Sequence, residues 1–333
     1  MKVPLISVIV AFYNVASYAP YCVESLLKQS FDDYELILVN DGSTDDTEEV
    51  LRRYTSNNKV KVLSKRNGGL SDARNYGVRH SAGALITFVD GDDVVSPHYL
   101  SSLYAAMTTC NAQMAIGHYA PISFKKVVEG DLGWKGKFTN AALEKKETIE
   151  RLLYDHIQPS ACAKLAPRKV YEECEFPRGV RYEEIRTVLS FFDAVDSFAE
   201  VLEPIYGYVM REGSITWSST ASASQLDEYM DAINAICSKA YSVYPGLIDA
   251  IRYQRALLLT RAHSQLPRKA LKRDEIKEID NEIIRQLRDL LPSILSNKNV
   301  SLVSKVRMTV LSRAECLYDF LYGLFRSKIK NVA

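Results

Sequence analysis

The sequence predicts an α/β fold in its first two-thirds, with a mostly parallel sheet flanked by helices, and a helical extension after it. Over the first 120 residues, short apolar runs rich in β-branched residues alternate with amphipathic segments. The apolar runs are continuous, which is typical of parallel strands buried on both faces. Beyond Ser218, apolar residues recur at three- and four-residue intervals, which indicates amphipathic helices.

The predicted elements alternate in chain order. Strands are predicted at Leu5–Val10, Glu35–Val39, Val60–Leu63, Leu85–Asp90 and Gln113–Ile116. Helices are predicted between them, at Tyr18–Gln29, Asp45–Tyr54, Ser71–His80 and Pro97–Cys110. The extension is predicted to hold four more, at Leu226–Tyr244, Leu247–Leu266, Asp274–Leu291 and Val300–Ile329. We predict a catalytic domain at residues 1–218 and a helical extension at 219–333.

Composition is that of an ordinary globular protein. The 333 residues are 47% hydrophobic and 25% charged, enough for a sizeable core, and the net charge of +1 argues against a general nucleic-acid binder. No run reaches the roughly 18 apolar residues that cross a bilayer, and the first strand lacks the features of a signal peptide. A cytoplasmic location is therefore expected. The six cysteines have no Cys-x-x-Cys spacing and are predicted to be reduced.

An acidic run follows the fourth predicted strand. Asp90, Asp92 and Asp93 place three carboxylates within four residues. Such charges repel one another, so a site of this kind usually holds a divalent cation. In extended chain, Asp90 and Asp92 face the same side, while Gly91 leaves room for a ligand. The run predicts a metal-diphosphate site, and the alternative is a solvated turn whose aspartates cap neighbouring structure.

The carboxyl ends of the other strands carry further candidates, since ligands of such sheets bind there. Ala11, Phe12 and Tyr13 follow the first strand without a glycine-rich phosphate loop, which argues against nicotinamide-dependent and ATP-hydrolysing proteins. Asp41 follows the second strand, where its carboxylate can accept a hydrogen bond from a nucleobase. Arg74 lies in the first turn of a helix after a loop with two glycines, a position suited to a phosphate or a pinned carboxylate.

These segments together resemble a known family. The blocks Leu5–Asn14, Asn40–Asp45, Asn67–Asn75 and Val89–Asp93 are similar, in order and spacing, to those of family 2 glycosyltransferases with the GT-A fold. The resemblance covers about residues 3 to 216 of the chain. It implies inverting transfer of a sugar from a nucleotide donor, most often UDP-linked, with Mg²⁺ or Mn²⁺ held by the Asp-x-Asp motif.

The resemblance also implies a role for individual residues. Asp92 is the expected metal ligand, with Asp90 beside it. The nucleoside would lie against Ala11, Phe12 and Tyr13. The other expected donor contacts are Asp41, Arg74, Asp90, Gly91, Asp93, Arg211 and Ser214, the last two from a loop that approaches the diphosphate. Tyr206 and Tyr208 of the strand before that loop are predicted to pack within the sheet.

The expected catalytic base departs from the family pattern. The family usually has a Glu-Asp pair at the start of a helix, whereas this chain has Glu183 and Glu184. Glu184 occupies the position of the base, and Glu183 is the substitute candidate. A glutamate can take the proton, but its extra methylene moves the carboxylate by about a bond length, and such a displacement can cost orders of magnitude in rate. The alternative is a structural pair of acids at a helix N-terminus.

The end of the extension has its own pattern. Residues 301–330 hold six basic and two acidic side chains, a net charge of +4, and aromatic residues cluster among them. Aromatics beside cations suit a helix at an anionic membrane surface. The alternatives are a terminal helix that packs on its neighbours or one that mediates a homodimer.

The sequence thus predicts a metal-dependent inverting glycosyltransferase. It would transfer a sugar from a UDP-sugar to a glycan or lipid-linked acceptor in surface polysaccharide synthesis, as a cytoplasmic or peripheral membrane protein. One alternative is a catalytically silent nucleotide-sugar-binding module, because the base departs from the usual aspartate. Another is an aspartate-dependent phosphotransferase, which requires its Asp-x-Asp motif on the first strand instead of the fourth.

Overall fold

A computed structural model describes residues 3–130, 132–136, 138–210, 222–266, 274–319 and 321–322. The chain divides into two compact units. The first comprises residues 1–148 and 158–211, and the second comprises residues 149–157 and 212–333. Segment 149–157 thus joins the second unit, although it lies within the range predicted for the catalytic domain. The predicted domain boundary at residue 218 falls outside the described residues and stays a prediction.

The first unit is built on a nine-stranded sheet whose path runs β3-β2-β1-β4-β8-β6-β9-β5, with β7 paired to β9. Its strands are β1 (Ile6–Phe12), β2 (Tyr34–Asn40), β3 (Val60–Ser64), β4 (Leu85–Asp90), β5 (Val94–Val95), β6 (Met114–Ser123), β7 (Asn140–Glu144), β8 (Lys164–Pro167) and β9 (Ser197–Met210). Consecutive residues of β1, among them Val8, Ile9 and Val10, are fully buried. Burial on both faces explains the unbroken apolar run.

Helices connect and cover these strands. They are α1 (Ala19–Leu27), α2 (Thr47–Arg52), α3 (Leu70–His80), α4 (Tyr99–Thr109), α5 (Phe124–Glu129), α6 (Lys145–Leu153), α7 (Arg168–Glu173) and α8 (Glu183–Asp193). Helix α6 begins in the first unit, and its residues from Ile149 onward belong to the second.

The predicted parallel sheet is formed by β1 to β4, because β1 pairs in parallel with β2 and β4, and β2 with β3. The rest of the sheet is mixed. Strand β8 is antiparallel to both β4 and β6, whereas β6 and β9 are parallel. The sequence predicted the start of β6, at Gln113–Ile116, and a strand with Tyr206 and Tyr208, which is part of β9. It did not reveal β5, β7 or β8, because their pairing depends on partners far away in the chain. The predicted α/β class is confirmed.

The second unit is helical. It contains α9 (Ala223–Val243), a 3₁₀ turn at Pro245–Leu247, α10 (Ile248–Gln265), α11 (Asp274–Ser296) and α12 (Leu302–Arg313). The single helix predicted over Val300–Ile329 is wrong in its described part. Helix α12 ends at Arg313, Ala314 adopts φ −142° and ψ 58°, and a new helical turn follows at 315–319. After this break, the Tyr318 hydroxyl lies 2.7 Å from Ser264 Oγ on α10.

No helix within the described parts of the chain combines the length and apolar character needed to cross a membrane.

Candidate active site

The carboxyl ends of β1, β2 and β4 lie side by side. In the register of the sheet, Ala11 is opposite Val39 of β2 and Asp90 of β4. Phe12 is fully buried, and Tyr13 is half exposed. A Cβ atom on Gly91 would come within 2.4 Å of the Phe12 ring, so the glycine lets the acidic turn lie directly on this ring. Of the three residues expected at the nucleoside, Tyr13 therefore presents the most exposed ring.

Asp41 holds the glycine loop in place. Its carboxylate accepts hydrogen bonds from the backbone N–H groups of Gly68 and Gly69, at 3.0 and 2.8 Å, and from Lys65 Nζ at 2.6 Å. The residue is 2% exposed. Burial works to lower the pKa of Lys65, but its bonds to Asp41 and Asp72 outweigh burial and raise it. The contact of Asp41 with a nucleobase stays a prediction, since the observed partners all belong to the loop.

The three aspartates of the acidic turn point in different directions. Asp90 Oδ1 accepts a hydrogen bond from Arg74 Nη2 at 2.9 Å, and its side chain is one-third exposed. Asp92 is half-buried. Asp93 turns inward, where Oδ2 accepts from the Tyr206 hydroxyl at 2.7 Å and Oδ1 from the Val209 N–H at 2.8 Å. Asp93 thereby fixes the end of β9, which leads into residues 211–221.

The charges of the acidic turn raise the pKa of buried groups beside them. Burial, followed by the charges of Asp92 and Asp90, raises the pKa of Asp93 well above its ordinary value. Burial and then the same three aspartates raise the pKa of the Cys22 thiol. These charges and the hard carboxylate oxygens fit a divalent cation, and the assignment of Asp92 and Asp90 as its ligands stays a prediction. Asp93 supports the turn through the Tyr206 hydroxyl and the Val209 N–H, and its contact with the donor stays a prediction.

Arg74 links the acidic turn to the predicted base. It lies on α3, is 2% exposed, and its guanidinium contacts three carboxylates: Asp90 at 2.9 Å, Glu183 at 3.2 Å and Glu184 at 2.9 Å. Burial works to lower the pKa of this guanidinium, but the carboxylates, Glu184 first, hold it well above its ordinary value. These contacts are of the pinned-carboxylate kind, and the predicted contact of Arg74 with the donor phosphate stays a prediction.

Glu184 is held at the start of α8, as the sequence predicts for the base. Its Oε1 accepts from Ser160 Oγ at 3.2 Å and from the Ala161 N–H at 3.1 Å, and it is the atom that faces Arg74. Within the described part of the chain, Oε2 has no hydrogen-bond partner. The side chain is 27% exposed, so this second oxygen is free to meet a ligand. Glu183 is more buried, at 12%, and burial raises its pKa.

The backbone around Glu184 is strained at two points. Tyr182, directly before α8, has φ +59°, and Ala163, in the segment that contacts Glu184, has φ +54°. A non-glycine residue in this left-handed region costs on the order of 1–3 kcal/mol, and such residues concentrate at functional sites. The two strained residues lie beside the contact between Glu184 and residues 160–161.

Sequence reasoning missed two side chains of this site. Tyr206 was predicted to pack in the sheet, and it is fully buried, but its hydroxyl also donates to Asp93 and accepts from the Asp90 N–H at 3.1 Å. Lys164 is 3% exposed and donates to the Gln158 and Cys162 carbonyls. Burial lowers the pKa of Lys164 to about 8, although the nearby Glu184 works to raise it. In the sequence, the only indication of a role for either residue was its position within a segment that resembles the family.

Arg211 and Ser214, expected at the diphosphate, lie outside the described residues. The roles of the individual donor-binding residues therefore stay predictions.

The fold and the strand-end site define a transferase of the GT-A class. The chain belongs to glycosyl transferase family 2, whose sequence model matches residues 7–174. The predicted family and fold are thereby confirmed, and the predicted glycosyltransferase is confirmed at the level of the family.

Two curated relatives have names that state a function. Glycosyltransferase GlyA of Streptococcus pneumoniae serotype 4 (strain ATCC BAA-334 / TIGR4) is 26% identical in an alignment of 322 residues that covers 92% of this chain and 46% of GlyA. Minor teichoic acid biosynthesis protein GgaB of Bacillus subtilis (strain 168) is 28% identical in an alignment of 224 residues that covers 66% of this chain and 24% of GgaB. The chain therefore spans less than half the length of either relative.

One solved structure confirms the fold. S. aureus TarS 1-349 in complex with UDP-GlcNAc matches with a TM-score of 0.65 at 18% sequence identity, covering 96% of this chain and 89% of that chain. At this identity the likeness supports the GT-A architecture alone.

Proposed function

We propose that the chain transfers a sugar, with inversion, from a UDP-sugar to a hydroxyl group of a glycan or lipid-linked saccharide in surface polysaccharide synthesis. The observation that carries the proposal is the Arg74 guanidinium, which contacts both Asp90 of the acidic turn and Glu184 at the start of α8. One buried cation thus holds the predicted donor site and the predicted base together. UDP-GlcNAc in the TarS structure and teichoic acid in the description of GgaB support this donor and pathway class.

Glu184 is the proposed general base. The acceptor oxygen attacks the anomeric carbon, the bond from that carbon to the diphosphate oxygen breaks, and the electron pair leaves with UDP. The acceptor proton passes to Glu184 Oε2, because Oε1 is already bonded to Ser160 and Ala161. An anchored carboxylate with one available oxygen favours the enzyme over a silent binding module. The phosphotransferase has no support, since the Asp-x-Asp motif follows β4 instead of β1.

Asp92 and Asp90 are the proposed residues for a bound Mn²⁺ or Mg²⁺. Such a cation, when bound, stabilises the charge that develops on the departing diphosphate. The protein supplies the carboxylates and, through Tyr206 and the Val209 N–H, holds Asp93 and the turn in position.

We expect Mn²⁺ to tighten UDP binding at least about tenfold, since a charge-assisted contact contributes roughly 1.5–3 kcal/mol. Asp92→Ala should abolish that gain. Calorimetric titration of UDP with Mn²⁺ or with chelator measures it, and the control is Asp32→Ala, whose side chain is fully exposed. If chelation leaves the UDP affinity of the wild type unchanged, the metal-diphosphate site is refuted. Turnover of radiolabelled UDP-sugars then tests transfer itself.

Membrane contact is proposed for the end of the second unit. Leu302, Val303 and Val306 lie within the first turns of α12 and are 75%, 78% and 54% exposed, with Lys305 among them. Apolar side chains beside a cation suit an anionic lipid surface, where a lipid-linked acceptor would be met. The aromatic and basic residues from Leu324 to Lys330 that contributed to this prediction lie outside the described residues. Dimerisation through the helical region stays a prediction.

Replacing Leu302, Val303 and Val306 together with serine should lower binding to vesicles containing phosphatidylglycerol at least about tenfold, because each buried Val or Leu contributes roughly 1.5–3 kcal/mol. Vesicle flotation measures the bound fraction. The control is Val128→Ser, a residue of the first unit with 54% exposure. Equal flotation of the triple variant and the wild type would exclude α12 as the contact.

A further inference from the structure

A histidine of the second unit is buried between carboxylates. His263, on α10, has a 1% exposed side chain, and both of its ring nitrogens face acids. Nδ1 lies 2.7 Å from Asp280 Oδ1 on α11, and Nε2 lies 3.1 Å from Asp319 Oδ1 in the 315–319 turn. A ring bonded to carboxylates on both sides, with almost no solvent access, is unusual for a residue that only fills space.

A third acid completes the group. Glu315 places a carboxylate oxygen so that this atom, one oxygen of Asp280 and one nitrogen of His263 all lie within 4.8 Å of one another. Among the described residues, no other set of three His, Cys, Asp or Glu side chains meets this condition. The acidic turn at 90–93 does not meet it.

The members of this group shift one another's pKa. Burial works to lower the pKa of His263, but the hydrogen bond and charge of Asp280, and then Asp319, raise it. Burial, and then the charge of Asp280, raises the pKa of Glu315. Arg307, on α12, donates hydrogen bonds to the Tyr318 hydroxyl and to Ser264 Oγ.

We propose that His263 Nδ1, Asp280 and Glu315 form a binding site for a divalent transition metal, with Zn²⁺ as the best-suited ion. One imidazole and two carboxylates are a ligand set that Zn²⁺ accepts, and three protein ligands leave a fourth position for water. The contact between Nε2–H and Asp319 is the arrangement that orients a metal-bound histidine and increases its basicity. Each ligand atom would bind the metal in its deprotonated form, so the metal takes the place of any proton on that atom.

The bound metal would have a structural role, because it would link three segments of the second unit. Its ligands come from α10, α11 and the 315–319 turn, three segments that no disulfide joins. Binding to the folded form alone stabilises it by mass action. The site lies outside the strand-end site of the first unit, so it would serve the helical unit whatever sugar is transferred.

The test uses the full chain, treated with chelator, dialysed and titrated with ZnCl₂ in the absence of nucleotide. We expect one tightly retained zinc per chain by atomic absorption, a raised Tm, and release of protons on binding. Asp319→Asn should weaken the zinc affinity by about 10- to 100-fold, and Glu315→Gln, which removes a ligand, by more. Glutamine keeps the length and shape of the Glu315 side chain, so the zinc-free Glu315→Gln variant should melt close to the zinc-free wild type.

Two controls separate this site from others. Glu278→Gln changes an exposed acid of α11 and should keep the zinc affinity of the wild type. Asp92→Ala removes the proposed donor-site ligand and should also keep it. The proposal is overturned if dialysed wild type retains no zinc, or if Glu315→Gln binds zinc as tightly as the wild type does.

Discussion

Glu184→Gln is expected to lower the rate of sugar transfer by about 10²–10⁴-fold, the usual contribution of a general base. Glutamine keeps the shape of the side chain and can keep its bonds to Ser160 Oγ and the Ala161 N–H through its carbonyl oxygen. It cannot take a proton. UDP affinity and Tm should therefore change little, which distinguishes a lost base from a lost fold. Initial rates with saturating radiolabelled UDP-sugar measure the effect.

Two further variants test whether Glu184 or Glu183 is the base. Glu184→Asp restores the residue that the family usually has but shortens a side chain that reaches Ala161 in this chain, so a loss of about 10²-fold is expected from misplacement alone. Glu183→Gln keeps Glu184 intact and should retain much more activity than Glu184→Gln. Full activity of Glu184→Gln, combined with an inactive Glu183→Gln, would move the base to Glu183.

Arg74→Met is expected to destabilise the protein by about 3–5 kcal/mol, because it leaves Asp90, Glu183 and Glu184 facing one another without their buried cation. Urea unfolding measures the free energy of unfolding. The matched control, Arg79→Met on the same helix, breaks a pair with Glu175 in which both side chains are about half exposed. That exposed pair should contribute at most about 1 kcal/mol.

If Arg74→Met does not fold, Arg74→Lys keeps the charge and tests the geometry. Lysine lacks the planar guanidinium that contacts all three carboxylates. The rate of sugar transfer should therefore fall, while most of the free energy of unfolding is kept. A double-mutant cycle of Arg74→Lys with Glu184→Gln then reports their coupling. Purely additive losses in transfer rate would contradict the assignment of Arg74 as the residue that positions the base.

The sequence was sufficient for the parts of the site that depend on local pattern. The acidic run after β4, the buried parallel strands and the Glu183-Glu184 pair at the start of α8 were all predicted. Each is set by chain neighbours: a strand end, an apolar run, or two acids at a helix N-terminus. The antiparallel β8 and the role of Tyr206 were not predicted, because Tyr206 reaches Asp93 across 113 positions of the chain.

In the helical unit, too, the local pattern predicted some features and distant contacts decided others. Periodicity located α9, α10 and α11 to within a few residues, except that α11 continues to Ser296 through Pro292. Periodicity did not reveal the break at Ala314. The break is accompanied by a contact between Tyr318 and Ser264 on another helix, and such a contact is not visible in the local pattern. The cluster around His263 was invisible for the same reason, since its four members come from three separate segments.

By itself, the sequence determined the order of strands and helices and the chemical groups at each strand end, because burial and backbone period are local properties of a chain. Only the tertiary structure decided which of those groups meet. It turned Asp93 inward and left Oε2 of Glu184 available, and it buried Arg74 among three carboxylates. The physical reason is that desolvation and charge pairing depend on neighbours in space, and these neighbours are set by packing of the whole sheet.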